Sequence, residues 1–204
     1  MSPIEHPPFL RACARLLEAE TIGIAALIAM VREIDFDEAQ RAALCVADPA
    51  HPYGRRVILN HPRLEAMLAT WTPGATCLPH DHGGAIGVVK VLAGRSHHQI
   101  YQVDADGLHL RHAERAEAGS LIPVGPDLVH AMGDDGAEEP LVTLHIYSHA
   151  IDHMIVYDTD KARTLVVDGC CGAWVPGPGQ LRLALPGFLP RRAVEAALAA
   201  PPSP

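Results

Sequence analysis

Gly74-Ala75-Thr76-Cys77-Leu78-Pro79-His80-Asp81-His82-Gly83-Gly84-Ala85-Ile86-Gly87-Val88-Val89-Lys90-Val91-Leu92-Ala93-Gly94 is the stretch from which the fold is read. On an extended strand, residues i and i+2 project to the same face. His80 and His82 can then grip one metal ion while Asp81 points away. Pro79 has no N–H for an inner ladder and suits the start of an edge strand. Gly83 to Gly87 are too small to block the histidine face. The apolar run that follows Gly87 reads as a strand, and Gly94 turns the chain after it.

The same texture extends outward. From Arg56 to about Val167 short apolar runs alternate with turn residues. Leu64 to Leu68, His98 to Val103 and Leu141 to Tyr147 are further runs of this kind. Turn signals fall at Thr72-Pro73-Gly74, Ala93-Gly94, Asp104-Ala105-Asp106-Gly107 and Gly133-Asp134-Asp135-Gly136. Short strands spaced this way predict an all-β sandwich or barrel. Before it, helical spacing predicts three helices: Phe9 to Ala19, a segment capped by Thr21 and running to Val31, and Asp37 to Val46 with Asp35 or Asp37 as cap. The Pro- and Gly-rich tail from Pro176 to Pro204 carries one short helix, Arg191 to Ala199, and reads as a peripheral, mobile arm. With no polar linker in between, one domain is expected over 1–204. It comprises a helical preface to about 50, a barrel over about 51–170 and the arm over about 171–204.

Composition narrows the function. The 204 residues are 49% apolar and 20% charged, too apolar for general disorder. Sixteen Lys and Arg against 24 Asp and Glu leave a formal net charge of −8, and aromatics are 4%. Nucleic acid is therefore not an expected partner, for want of a cationic footprint and of stacking platforms. Thirteen histidines against three phenylalanines point to metal or proton chemistry. The cysteines, Cys13, Cys45, Cys77, Cys170 and Cys171, form no C-x-x-C pair and suit a reducing cytosol. Cys77, among small apolar residues, reads as buried rather than reactive. Met1 to Pro8 carries no leader-like pattern, and Ile22 to Met30 is too short to span a bilayer. No membrane partner and a cytoplasmic location are the expectations.

A second block, Gly119 to Gly125 followed by His130, offers a third histidine that a barrel would bring beside His80 and His82. Three neutral imidazoles would leave the full divalent charge on an ion, favouring an anionic thiolate. Imidazole binds iron, zinc, copper and nickel alike, so ligand type leaves the metal open. Arg55 is a candidate anion clamp, its guanidinium fork matched to a carboxylate. Tyr53 is placed to support the same anion, while Arg56 points to the opposite side of the strand. Thr143, His145 and Tyr147 share one strand face at i, i+2 and i+4. His97 and His98, on adjacent strand faces, and His109, His112, His149 and His153 are given no role.

Gly74-x5-His80-x-His82-x4-Gly87-x6-Gly94 resembles the first cupin motif at its full spacing. Together with Tyr53-Gly54-Arg55, the block ending at His130 and Leu144-His145-Ile146-Tyr147-Ser148, it resembles bacterial cysteine dioxygenase of type I. The resemblance covers roughly Pro52 to Asp158. It implies a cupin barrel, a double-stranded β-helix of six to eight strands, with N-terminal helices. It implies Fe(2+) held by His80, His82 and His130, with Gly87 standing where ordinary cupins carry a glutamate ligand. It implies substrate binding by Arg55 and Tyr53, and a Thr143-His145-Tyr147 relay in place of the family's Ser-His-Tyr. The implied partners are a small thiol and O2, and the implied reaction gives L-cysteine sulfinate. The alternatives are 3-mercaptopropionate or mercaptosuccinate as substrate, or a non-catalytic metal-binding sensor. His149-Ala150 departs from the prolines frequent in the family, and Gly87 excludes the cysteine–tyrosine cross-link of mammalian members.

Overall fold

A computed structural model describes residues 6–200 of the chain. The first five residues, within the segment read for a leader, and the last four, within the tail, lie outside the described residues. Three helices come first. Helix α1 (Pro7–Glu18) opens on Pro7 and Pro8, where a missing N–H costs nothing, and His6 Nδ1 accepts from the Phe9 N–H as its cap. Helix α2 (Ile24–Glu33) starts from Gly23 rather than from Thr21. Helix α3 (Glu38–Leu44) is capped by Asp37, which exchanges hydrogen bonds with Gln40 in a capping box.

Eleven strands follow among the described residues, more than the six to eight expected. They are β1 (Tyr53–His61), β2 (Leu64–Trp71), β3 (Gly87–Ala93), β4 (Arg95–Asp104), β5 (Gly107–Glu117), β6 (Leu121–Val124), β7 (Val129–Asp134), β8 (Val142–Tyr147), β9 (His153–Asp158), β10 (Arg163–Asp168) and β11 (Leu181–Pro186). They form a five-stranded sheet in the order β1-β2-β8-β3-β6 and two three-stranded sheets, β11-β10-β9 and β5-β4-β7. This is the mainly-β cupin architecture with N-terminal helices.

Strands β3 and β8 are buried along their whole length and β2 nearly so. The alternation typical of a half-exposed strand is absent because both faces are covered. Leu64, Leu68, Val88, Leu144 and Ile146 meet Phe9, Leu27, Val31 and Phe36 of the helical preface. Met67, Ala69, Trp71, Val89 and Val91 face the interior. Lys90, also buried, sends its ammonium to the Ile34 carbonyl just past α2, where a helix leaves carbonyls without partners.

Two expectations are corrected here. The tail is pinned rather than a loose arm. Strand β11 pairs with β10, Arg182 bonds Asp152 and Asp168, and a last helix, α4 (Arg191–Ala199), sends Arg191 to Asp81. The second correction is that His80 and His82 do not lie on a strand. Their segment is stitched between β7 and β9 by single bridges, His80 facing both His130 and Val156. Pro79 cannot donate, and Gly83 and Gly84, at φ +64° and +81°, turn the chain away immediately after His82. Pairing with β7 is therefore broken into single bridges at Thr76 and His80, and it stops at the turn after His82.

Candidate metal centre

The stitched segment nevertheless brings the three histidines together. The His80 N–H donates to the His130 carbonyl and the His130 N–H to the His80 carbonyl, which fixes the two residues side by side. One ring nitrogen from each of His80, His82 and His130 lies within 4.8 Å of the others. All three side chains are buried.

The hydrogen bonds fix the free nitrogen of His80 and pair the other rings with one another. His80 Nδ1 donates to the Leu78 carbonyl, 2.9 Å away, so its Nε2 carries the lone pair. His130 Nδ1 is 2.8 Å from His98 Nε2, and His130 Nε2 is 3.2 Å from His82 Nε2. Burial holds His80 down at about pKa 4 and pushes His82 and His130 well below the ordinary histidine range. Three neutral rings bring one nitrogen each toward one point, and a metal ion needs its imidazole ligands in neutral form. His82 Nε2 and His130 Nε2 face each other at a distance that either one shared hydrogen or a metal ion beside them satisfies. The residues present therefore fit a metal ion.

A hydrogen-bonded chain runs along β8. The Trp71 indole N–H donates to Thr143 Oγ1 at 2.9 Å, Thr143 Oγ1 lies 2.8 Å from His145 Nε2, and His145 Nδ1 lies 3.1 Å from the Tyr147 hydroxyl. An indole can only donate. If Thr143 donates to His145 Nε2, the imidazole hydrogen lies on Nδ1 and donates to the tyrosine oxygen. The Tyr147 proton is then free to point into the cavity. Burial holds His145 near pKa 3, and it raises Tyr147 well above the usual phenol range. Gly87 lies directly opposite Tyr147 in the register, and a Cβ there would sit 2.4 Å from Tyr147 Cδ1. The ring occupies the space that any other side chain would fill.

Arg55 and Tyr53 reach the same cavity, lined also by Glu65, Met67, Trp71, His80, His82, His145 and Tyr147. Arg55 Nη1 donates to the carbonyls of Gly169 and Cys171, at 3.1 and 2.7 Å, and Nε points at the Met67 sulfur. The Tyr53 hydroxyl accepts from the Ala173 N–H at 3.0 Å. Both residues thus anchor the Asp168–Trp174 segment as well as facing the site. Arg56 points outward to the Ala43 carbonyl.

Sequence reasoning missed four participants. His98 had been given no role, yet it is 2% exposed and bonded to His130. Glu114 lies behind it, its carboxyl held below the usual range chiefly by the hydrogen bond from His98. Trp71 donates into the β8 chain at Thr143. Glu65, directly opposite Tyr147, is buried and accepts from the Ile151 N–H. Only the opposition of strands reveals these, and no local motif carries it. Cys77 is buried and raised to about pKa 12 by desolvation, an inert thiol on the cavity wall.

Among the described residues no helix is long and apolar enough to cross a membrane. Among solved structures the chain is similar to a Klebsiella pneumoniae conserved protein with a double-stranded β-helix domain, at 15% identity and TM-score 0.43, over 54% of this chain and 88% of that one. It is similar to a Bacillus halodurans protein at 19% identity and TM-score 0.42, over 48% and 72%. It is similar to oxalate decarboxylase of Bacillus subtilis at 25% identity and TM-score 0.37, over 43% and 22%. The family model for cysteine dioxygenase type I matches residues 7–160, a span that takes in Arg55, the three histidines and Tyr147, and the chain belongs to that family.

Proposed function

We propose that the protein is a non-haem iron thiol dioxygenase that adds both atoms of O2 to the sulfur of L-cysteine, giving cysteine sulfinate. The observation that carries this reading is the convergence of three neutral histidines, with Gly87 leaving no carboxylate beside them. A ferrous ion held by His80, His82 and His130 would supply open positions for a thiolate and O2 and lower the pKa of the thiol.

The remaining roles belong to the chain. Arg55 orients the substrate carboxylate through the guanidinium edge not bonded to Gly169 and Cys171, and Tyr53 backs it. Tyr147 donates its free proton to charge that develops on the reacting group. His145 and Thr143, oriented by Trp71, hold the phenol oxygen in place. Apolar Met67, Met132 and Met154 line the cavity and exclude water. A cytoplasmic location belongs to the same reading and is supported by the cysteine usage.

A second reading, another small carboxylated thiol such as 3-mercaptopropionate or mercaptosuccinate, is favoured by a second cavity of about 470 Å³ that shares Arg55, Glu65 and Ile151 with the first. It gives the additional carboxylate of mercaptosuccinate room on the far side of Arg55, whereas 3-mercaptopropionate has the carbon chain of cysteine without its amine. Oxygen uptake with a panel of thiols, with products identified by mass, tests both. Fastest coupled turnover of cysteine is expected. A preference for a thiol lacking the amine replaces the substrate, and metal binding without uptake for any thiol replaces the enzyme by a sensor.

A further inference from the structure

His98, on β4, stands directly opposite Glu114 on β5 and diagonal to His130 on β7. Its ring bridges them, Nδ1 lying 3.2 Å from Glu114 Oε1 and Nε2 2.8 Å from His130 Nδ1. The protons can be placed by elimination. A carboxylate only accepts, so His98 Nδ1 carries a hydrogen. If His98 Nε2 also carried one, His130 Nδ1 would have to accept it. The hydrogen of neutral His130 would then sit on Nε2, facing His82, and bar ligation. Ligation through His130 Nε2 therefore requires His98 Nε2 to accept from His130 Nδ1–H. The result is a directed chain, Glu114 to His98 to His130, ending on the metal-facing nitrogen.

The other two rings are held differently. His80 Nδ1 donates to a neutral carbonyl, and His82 Nδ1 is buried with no partner. We infer that His98 and Glu114 are positioning residues for the metal centre: they tether His130, fix its tautomer and make it the most basic of the three ligands. A carboxylate behind a ligating histidine raises the electron density that the ring offers a metal. In this chain Gly87 supplies no direct carboxylate ligand, and Glu114 supplies negative charge from outside instead. The inference rests on His80, His82 and His130 being metal ligands, and not on any turnover.

The test is a titration of metal-free, full-length protein with Co2+, read both as affinity and as the visible absorption of the bound ion. His98→Phe should weaken binding by about 10- to 100-fold and shift the absorption. Glu114→Gln should weaken it less, because that side chain is 47% exposed and water can take its place. His98→Gln should recover most of the affinity, since a carboxamide can accept from His130 and donate to Glu114. Wild-type affinity and spectrum in folded His98→Phe and Glu114→Gln overturn the tether and leave the metal site standing. Equal losses in His98→Gln and His98→Phe assign the effect to packing and overturn it as well. If His98→Phe does not fold, the surface variant Glu114→Gln decides, with unchanged affinity and spectrum counting against the tether. Failure of the wild type to bind Co2+ at all removes the metal centre and the tether with it.

Discussion

The ring of Tyr147 lies over that of His82, their centroids 5.1 Å apart and their planes at 29°. A candidate metal ligand and a phenol thus share one van der Waals stack. Tyr147 is buried, with its hydroxyl bonded to His145 and its ring edge against Gly87. Removing the hydroxyl should leave the stack and the metal in place. Tyr147→Phe is expected to retain wild-type iron while kcat for cysteine falls by about 10- to 1000-fold, the loss of one preorganised donor. Full coupled activity in that variant would reduce Tyr147 to a packing residue.

Each of His80→Ala, His82→Ala and His130→Ala should lose most of its iron, because no neighbouring carboxylate stands at Gly87 to substitute. Elemental analysis of the purified variants checks this. Wild-type iron in the His130→Ala protein would remove His130 from the ligand set.

Arg55 anchors a loop and is proposed to clamp the substrate, and its variants should show both tasks. Arg55→Gln should lower kcat/KM for cysteine by roughly ten- to a hundredfold, the worth of a charge-assisted contact. It should also lower the melting temperature, since the bonds to the Gly169 and Cys171 carbonyls are lost. A drop in melting temperature with unaltered KM for cysteine and 3-mercaptopropionate would leave Arg55 as an anchor only.

Acid should destabilise the metal-free protein. Burial holds His80 near pKa 4 and His145 near 3, against 6.5 for an unburied ring. Between these values the unfolded chain binds more protons than the folded one, so stability falls as pH falls. The loss begins below about pH 6.5 and is complete once the folded-state values are passed. Urea midpoints of chelator-treated protein should therefore decline from about pH 7 to pH 5, and a flat profile would contradict the buried, neutral state of these rings.

Asp81 is 2% exposed, and its Oδ2 lies 2.6 Å from Arg191 Nη2, a close ion pair with off-line hydrogen-bond geometry. Its other oxygen accepts from the Gly83 and Ile155 N–H groups. Arg191→Ala leaves a buried carboxylate without its cation and should cost about 3–5 kcal/mol in chemical denaturation. A change under about 1 kcal/mol would mean that water or protonation replaces the guanidinium.

Local chemistry was the legible part of the sequence. The Asp37 cap, the apolar strands and the face shared by Thr143, His145 and Tyr147 all follow from short-range spacing. The His80-x-His82 pair pointed to metal through a strand that does not exist: Pro79 and the Gly83-Gly84 turn prevent it, and backbone bridges to His130 and Val156 do the positioning. Pairing across sheets was not legible. His98 acquires its place only because β4 lies between β5 and β7, and Trp71 only because β2 lies beside β8. The tail read as loose because Pro and Gly dominate it, while its anchors, Arg182 and Arg191, find their carboxylates far back in the sequence.

The contact between Arg191 and Asp81 also orders events in time. A ribosome releases His80, Asp81 and His82 more than a hundred residues before it releases α4, so the nascent loop carries an acidic side chain without its counter-ion until α4 emerges. The same contact ties α4 to the loop that carries His80 and His82. Any fusion, cleavage or crowding that lifts α4 strips the counter-ion from a buried carboxylate set between His80 and His82 in the same loop.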